Sequence, residues 1–231
     1  MKVYIWMPAG ENRYGHVSLE TSRYYLSVWP RGDIKERGES VQAATTGVDA
    51  DVVYHRDLDY YLESKRTPEI IALDQIPDKD VNSLLEDFLR YNDINPADVT
   101  LEAAERKIEA FLRTENVDDW PVKKLSKTRY RYVGKGLHQL GDFWHEDAVQ
   151  RNAAIDAWAR LGKFYWNPQS CTSFVLNVIE GVVDASQRQL WATVTPKERA
   201  RIVMLTVENF REILDEYYIQ KPKTNDGCVI F

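Results

Sequence analysis

The opening 75 residues force a sheet. "KVYIWM", "HVSLE", "RYYLSVW", "DVVYH" and "EIIAL" are short, rich in β-branched and aromatic residues, and broken by turn-forming "PAGENRYG" and "TS". The stretch from Pro30 to Asp51, punctuated by glycine, reads as a long loop. Pairing "HVSLE" with "YYLSVW" through a tight turn at Thr21–Ser22 makes opposed positions sum to 43 and sets His16 directly across from Ser27. Opposed side chains share a face, with Cβ atoms ~5 Å apart. A slip of one residue would oppose His16 to Leu26 or Val28, neither of which can orient an imidazole. Ser27 is therefore the expected partner of one ring nitrogen. Gly15, just before His16, permits close backbone approach or an exposed strand start.

Far along the chain, "NPQSCTSFVLNVIEG" opens a helix. Asn167 and Pro168 suit the cap and first position; Ser170 could cap instead. Either start puts Cys171 in the first turn, near the positive end of the helix dipole, where a thiolate is favoured. Phe174, Val175, Val178 and Val182 continue its face at i+3, i+4, i+7 and i+11, and that face is expected to pack on the sheet. The polar surroundings suit an exposed thiol better than a core residue. Gln169 and Asn167 are candidate donors to an oxyanion, beside the Cys171 amide.

Between these stretches the pattern is helical. Val81, Leu84, Leu85, Phe88 and Leu89 recur at 3–4 spacing after Pro77, and Leu101, Ala104, Ile108, Phe111 and Leu112 do the same. "VKKLSKTRYRYVGKGLHQLG" reads as a basic connection, either solvated or facing acidic lipid or an acidic partner. Helix patterns return near 146–161 and 169–180. "TPKE" at 195–198 starts a helix expected to reach about Tyr217. The expected fold is α+β: a small antiparallel sheet packed on the cysteine-bearing helix, with a helical insertion. The division is 1–76 for the sheet part, 77–140 for the insertion, 141–219 for the helical part of the core, and 220–231 for a flexible tail.

Composition narrows the function. Thirty basic and 36 acidic residues leave a formal charge of −6, which argues against a general nucleic-acid binder. "MKVYIWM" lacks the apolar region and cleavage site of a secretory signal, so none is expected. No apolar run approaches the ~20 residues of a membrane span. Two cysteines make no disulfide framework. His16, His55, His138 and His145 are scattered, and "WHED" at 144–147 points its ligands in different directions, so no metal is expected. Without a glycine-rich phosphate loop, no cofactor is expected either.

Taken in order, "YGHVSLET", "YYLSVWP", "EIIALDQI" and "FYWNPQSCTSFVLNVIEGV" resemble the circularly permuted papain-like fold of NlpC/P60 and lecithin:retinol acyltransferase-like enzymes. There the histidine strand comes early and the cysteine helix late. The resemblance covers roughly residues 1–75 and 160–182. It implies Cys171 as nucleophile, His16 as base and Ser27 as third polar residue. Two departures stand out: Ser170 replaces the asparagine expected before the cysteine, and a serine orients an imidazole more weakly than histidine, asparagine or an acid.

The last residues, Cys228-Val-Ile-Phe231, form a CaaX box whose final Phe points to geranylgeranylation, with "YIQKPKTNDG" as spacer. One prenyl chain binds membranes marginally; Lys221, Lys223 and the basic stretch 123–135 are candidate second signals. Prenylation needs a eukaryotic cytosol, whereas the core resembles bacterial proteins. Together they imply a secreted bacterial effector lipidated by a host prenyltransferase and held on the cytosolic face of a host membrane. "VENFREILDEYY" is similar to glutamate-rich translocation signals. The expected activity is that of a thiol hydrolase of peptidase or amidase type at that membrane, on a protein, peptide or lipid substrate. The alternatives are an acyltransferase of the same fold and a non-catalytic adaptor, the last favoured by the weak orienter Ser27.

Overall fold

A computed structural model describes residues 1–9, 15–31, 48–114, 120–130, 170–182 and 207–219. Among these the chain is mixed α+β. The strands are β1 (Lys2–Trp6), β2 (His16–Glu20), β3 (Tyr25–Pro30), β4 (Val48–Val53), β5 (Glu69–Ala72) and β6 (Val122–Tyr130). They form one antiparallel sheet in the order β5-β1-β2-β3-β4-β6. The helices are α1 (Arg56–Leu62), α2 (Asp78–Tyr91), α3 (Leu101–Thr114), α4 (Cys171–Val182) and α5 (Val207–Ile213), the last continuing as a π-helical turn over Leu214–Tyr218.

Alternation sorts the sheet into two unlike faces. One carries Val3, Ile5, Val17, Leu19, Leu26, Val28 and Val52, and packs on α2, α4 and α5 in a single apolar core. The other carries Tyr4, Trp6, His16, Ser18, Tyr25, Ser27 and Trp29, all buried. Here Leu58 and Leu62 of α1 join Trp29, and Leu101 of α3 meets Tyr4, Trp6 and Tyr25. The central strands are thus covered on both sides, and the second face is the polar one.

The β2–β3 hairpin departs from the expected register. Leu19 opposes Leu26 and Glu20 opposes Tyr25, so positions sum to 45, not 43. The turn holds four residues rather than two. Thr21 closes it: its amide donates to the Tyr24 carbonyl at 2.8 Å, and its Oγ1 accepts from the Tyr24 amide at 3.0 Å and donates to Asn82 of α2 at 2.6 Å. The Ser22 amide adds a 2.6 Å bond to Asp78. The turn is therefore shaped by a helix sixty residues away. Beyond Leu19–Leu26 the strands take different partners: His16–Ser18 ladder with β1, and Ser27–Pro30 with β4.

One further expectation needs correction. The basic connection is, over Val122–Tyr130, strand β6 laddered to β4, so residues 77–140 are not helical throughout. Helix α2 is part of the main core. Val81, Leu85, Phe88 and Leu89 lie in the main core, and the Phe88 ring sits 4.9 Å from that of Phe174 on α4. Helix α1 was not anticipated at all. His55 caps it, its Nδ1 accepting from the Asp57 amide at 3.1 Å. The expected helix near 146–161, the start at 195–198 and the tail from 220 lie outside the described residues.

Because α2 completes the core, Phe88→Ala should lower unfolding free energy by about 3–5 kcal/mol, read by urea denaturation. A loss near zero would mark α2 as dispensable.

Candidate active site

Helix α4 begins at Cys171, and Ser170 is its cap. The Ser173 amide donates to Ser170 Oγ at 3.2 Å, and the Ser170 amide donates to Ser173 Oγ at 2.9 Å. This reciprocal pair works as a capping box with serine in place of the usual acid. Of the two starts the sequence allowed, Ser170 takes the role. Cys171 is the first helical residue, at the positive end of the dipole. It is buried, at 4% exposure, not exposed as its polar neighbourhood suggested. Asn167 and Gln169 lie outside the described residues.

His16 lies on the face opposite the one α4 packs against, yet Cys171 reaches it. β2 and β3 are laddered only at Leu19–Leu26 and Glu20–Tyr25, and α4 contacts both strands. Cys171 lies close enough to His16 to act on the charge of its ring. Ser27 Oγ stands 2.5 Å from His16 Nε2. The serine partnership thus holds on a different register. Extending the sum of 45 past the last paired residues sets Ser27 diagonal to His16 on the same face, and the Trp29 ring stacks 4.1 Å from the imidazole. A register shift of two residues keeps every side chain on its face.

Sequence reasoning missed Asp59. It is fully buried on α1, and its Oδ2 lies 3.5 Å from His16 Nε2. It accepts from Tyr25 Oη at 2.6 Å and from Trp29 Nε1 at 2.7 Å. Because the Tyr25 hydroxyl gives its proton to this carboxylate, Ser18 Oγ, 2.6 Å away, must donate to Tyr25. A carboxylate with several donors is a stronger orienter than a serine. The available signal was Leu58 and Leu62 at i,i+4 with Asp59 between them, but an acid in such a run reads as solvated.

Electrostatics converge on the ring. Burial alone would lower the His16 pKa; the negative charges of Cys171 and Asp59, with hydrogen bonds to both, outweigh it and push it up to about 10. With Nε2 facing Ser27 and Asp59, Nδ1 is left as the nitrogen available to Cys171. The site thus favours an imidazolium set between the negative charges of Cys171 and Asp59.

Gly15 makes this strand entry possible. Its φ is +68°, and a Cβ there would collide with the Trp6 carbonyl oxygen and stand 3.0 Å from Pro8. Among the described residues, no group of three His, Cys, Asp or Glu is placed to hold a metal ion, and no helix is long and apolar enough to cross a membrane.

A folded-state pKa raised above the ordinary ~6.5 contributes stability in full below that value and loses it as pH climbs towards about 10. The unfolded thiol itself sheds a proton near ~8.5, so the loss should be steepest above that point. Denaturation free energy should therefore fall more between pH 8.5 and 10 in wild type than in His16→Gln. Parallel slopes would mean that His16 is not held charged.

Compared with known proteins, the chain matches no family model, no curated protein and no solved structure.

Proposed function

We propose that this chain is a thiol hydrolase of peptidase or amidase type on a circularly permuted papain-like core, acting at a host membrane surface. The observation that carries this reading is the buried His16 ring bridging Cys171 on α4 and Asp59 on α1. Sulfur, imidazole and carboxylate in series are what nucleophilic catalysis requires.

The chemistry follows from the charges. The Cys171 thiolate attacks a carbonyl carbon and forms a C–S bond, and the carbonyl oxygen takes the negative charge. The amides at the start of α4 support that oxyanion. Collapse breaks the bond to the leaving nitrogen, which takes its proton from the His16 imidazolium. The neutral ring then removes a proton from water as its oxygen attacks the thioester. Cleavage of C–S releases the acid and restores the ion pair. Ser27 and Asp59 hold Nε2, which leaves Nδ1 for the sulfur. With Ser27 alone, the third position would be weak, and an adaptor without catalysis would be the better reading; the Asp59 carboxylate supports catalysis instead.

Thiol reactivity tests the ion pair directly. Iodoacetamide labelling of Cys171, resolved from Cys228 by peptide mass spectrometry, should have a pH midpoint below the ~8.5 of an isolated thiol. His16→Ala and Asp59→Asn should both move it upward. Unchanged midpoints would remove the basis for the reading. With substrate in hand, Cys171→Ala should abolish turnover and Asp59→Asn should cost roughly 10²-fold or more in kcat. Product analysis with an added amine or phospholipid then separates hydrolysis from acyl transfer.

The membrane part of the proposal rests on the Cys228-Val-Ile-Phe231 sequence. A geranylgeranyl group there would concentrate the enzyme near membrane-borne substrates. In eukaryotic cells, wild type should fractionate with membranes, and Cys228→Ser should become soluble, as should wild type under a geranylgeranyl-transferase inhibitor. Equal membrane binding by the serine variant would refute lipid anchoring.

A further inference from the structure

The site needs two separate elements in fixed relation: the β1–β2 hairpin that carries His16 and the short helix α1 that carries Asp59. Seven residues of helix hold no position by themselves. Asp59 has its own bonds to Tyr25 and Trp29, but these grip only the middle of α1. At its C-terminal end a second tie runs directly to the hairpin. Arg66 Nη1 donates to the Met7 carbonyl at 2.7 Å, and Nη2 contacts Glu63 Oε2 at 2.5 Å. The Trp6 indole returns a bond to the Arg66 carbonyl at 2.8 Å. Glu63 is fully buried and Arg66 partly so, at 28% side-chain exposure. Trp6 is the strand partner of His16, its ring 5.8 Å from the imidazole.

The backbone between them is strained. Ser64 and Lys65 both hold left-handed φ values, 57° and 60°, where residues with side chains are disfavoured. The Lys65 amide bonds the Tyr60 carbonyl at 2.8 Å and the Ser64 amide bonds that of Tyr61 at 3.1 Å, ending α1 as a Schellman motif without glycine. A turn that only had to end a helix would be easier to form with glycine. This one also brings Arg66 back to the hairpin, with Glu63 behind it.

We propose that Arg66, with Glu63, is a positioning residue for the catalytic site, clamping α1 to the β1–β2 hairpin so that Asp59 stays in register with His16. The inference rests on the hydrolase reading above. Arg66 touches neither sulfur nor imidazole; it acts through Trp6, Met7 and Glu63. Lysine is a poor substitute, because a single ammonium does not reproduce a planar fork that reaches a carboxylate and a carbonyl at once.

The test is the pH dependence of Cys171 labelling by iodoacetamide in the full chain. Asp59→Asn defines the shift expected when the carboxylate is lost. Arg66→Ala should move the midpoint the same way by a smaller amount and slow labelling at pH 6.5 by roughly threefold, within the range of couplings inside one hydrogen-bond network. Arg66→Lys should fall between Arg66→Ala and wild type. A merely structural clamp would lower the melting temperature and leave the midpoint where it is. A wild-type midpoint in Arg66→Ala, with Asp59→Asn shifted, overturns the positioning role and leaves the hydrolase reading standing. Wild-type midpoints in both Asp59→Asn and His16→Ala overturn the hydrolase reading itself. If Arg66→Ala does not fold, Arg66→Lys and Glu63→Gln carry the comparison: a shifted midpoint supports the clamp and a wild-type midpoint overturns it.

Discussion

An imidazole taken out of water tends to lose its proton, and His16 is entirely enclosed. It sits beside the rings of Trp6 and Trp29 on the polar face of the sheet. Its charge survives because anionic partners arrive from two helices on opposite faces, Cys171 on α4 and Asp59 on α1. Much of the architecture serves that meeting. The sheet must be covered on both sides to exclude water, and β2 and β3 must part company just where the ring lies. Gly15 must lack a side chain so that the strand can begin against Trp6. Removing either helix would leave the ring with one anion, and burial would then weigh more heavily against its charge.

The hydrogen-bond pattern around Asp59 has a direction. Tyr25, Trp29 and the His16 ring all face the carboxylate, and Ser18 feeds Tyr25 from behind. With its donors supplied by two residues of one strand, the carboxylate has little freedom to turn. A buried polar group so satisfied rigidifies its surroundings; the same group with a donor missing would be costly.

The strands were legible because alternation over four to six residues survives in any context. The side of the sheet that His16 shares with Ser27 was legible for the same reason: a period of two is blind to a shift of two. The register itself was not, because Thr21 answers to Asn82 of α2, far off in sequence. Strand β6 was hidden by its lysines, which suit the margin of a sheet but read as a solvated connection. Asp59 was hidden because an acid reveals itself as buried only when its donors are known, and Tyr25 and Trp29 stand thirty or more residues before it. Cys171 was placed well along its helix but wrongly as to exposure, since the polar first turn bonds to itself through Ser170, Thr172 and Ser173.

The Ser170–Ser173 cap fixes more than the end of a helix. Successive residues are turned by about 100° and advance about 1.5 Å along the axis. The cap sets where α4 begins, while Phe174 and Val178 set its rotation against the sheet. The angular phase of the sulfur is therefore locked from both sides. A residue gained or lost before Ser170 can be absorbed by the incoming chain. One gained or lost between Cys171 and Phe174 leaves a well-packed helix whose sulfur faces away from the ring, so the spacing between these two residues matters as much as their identity.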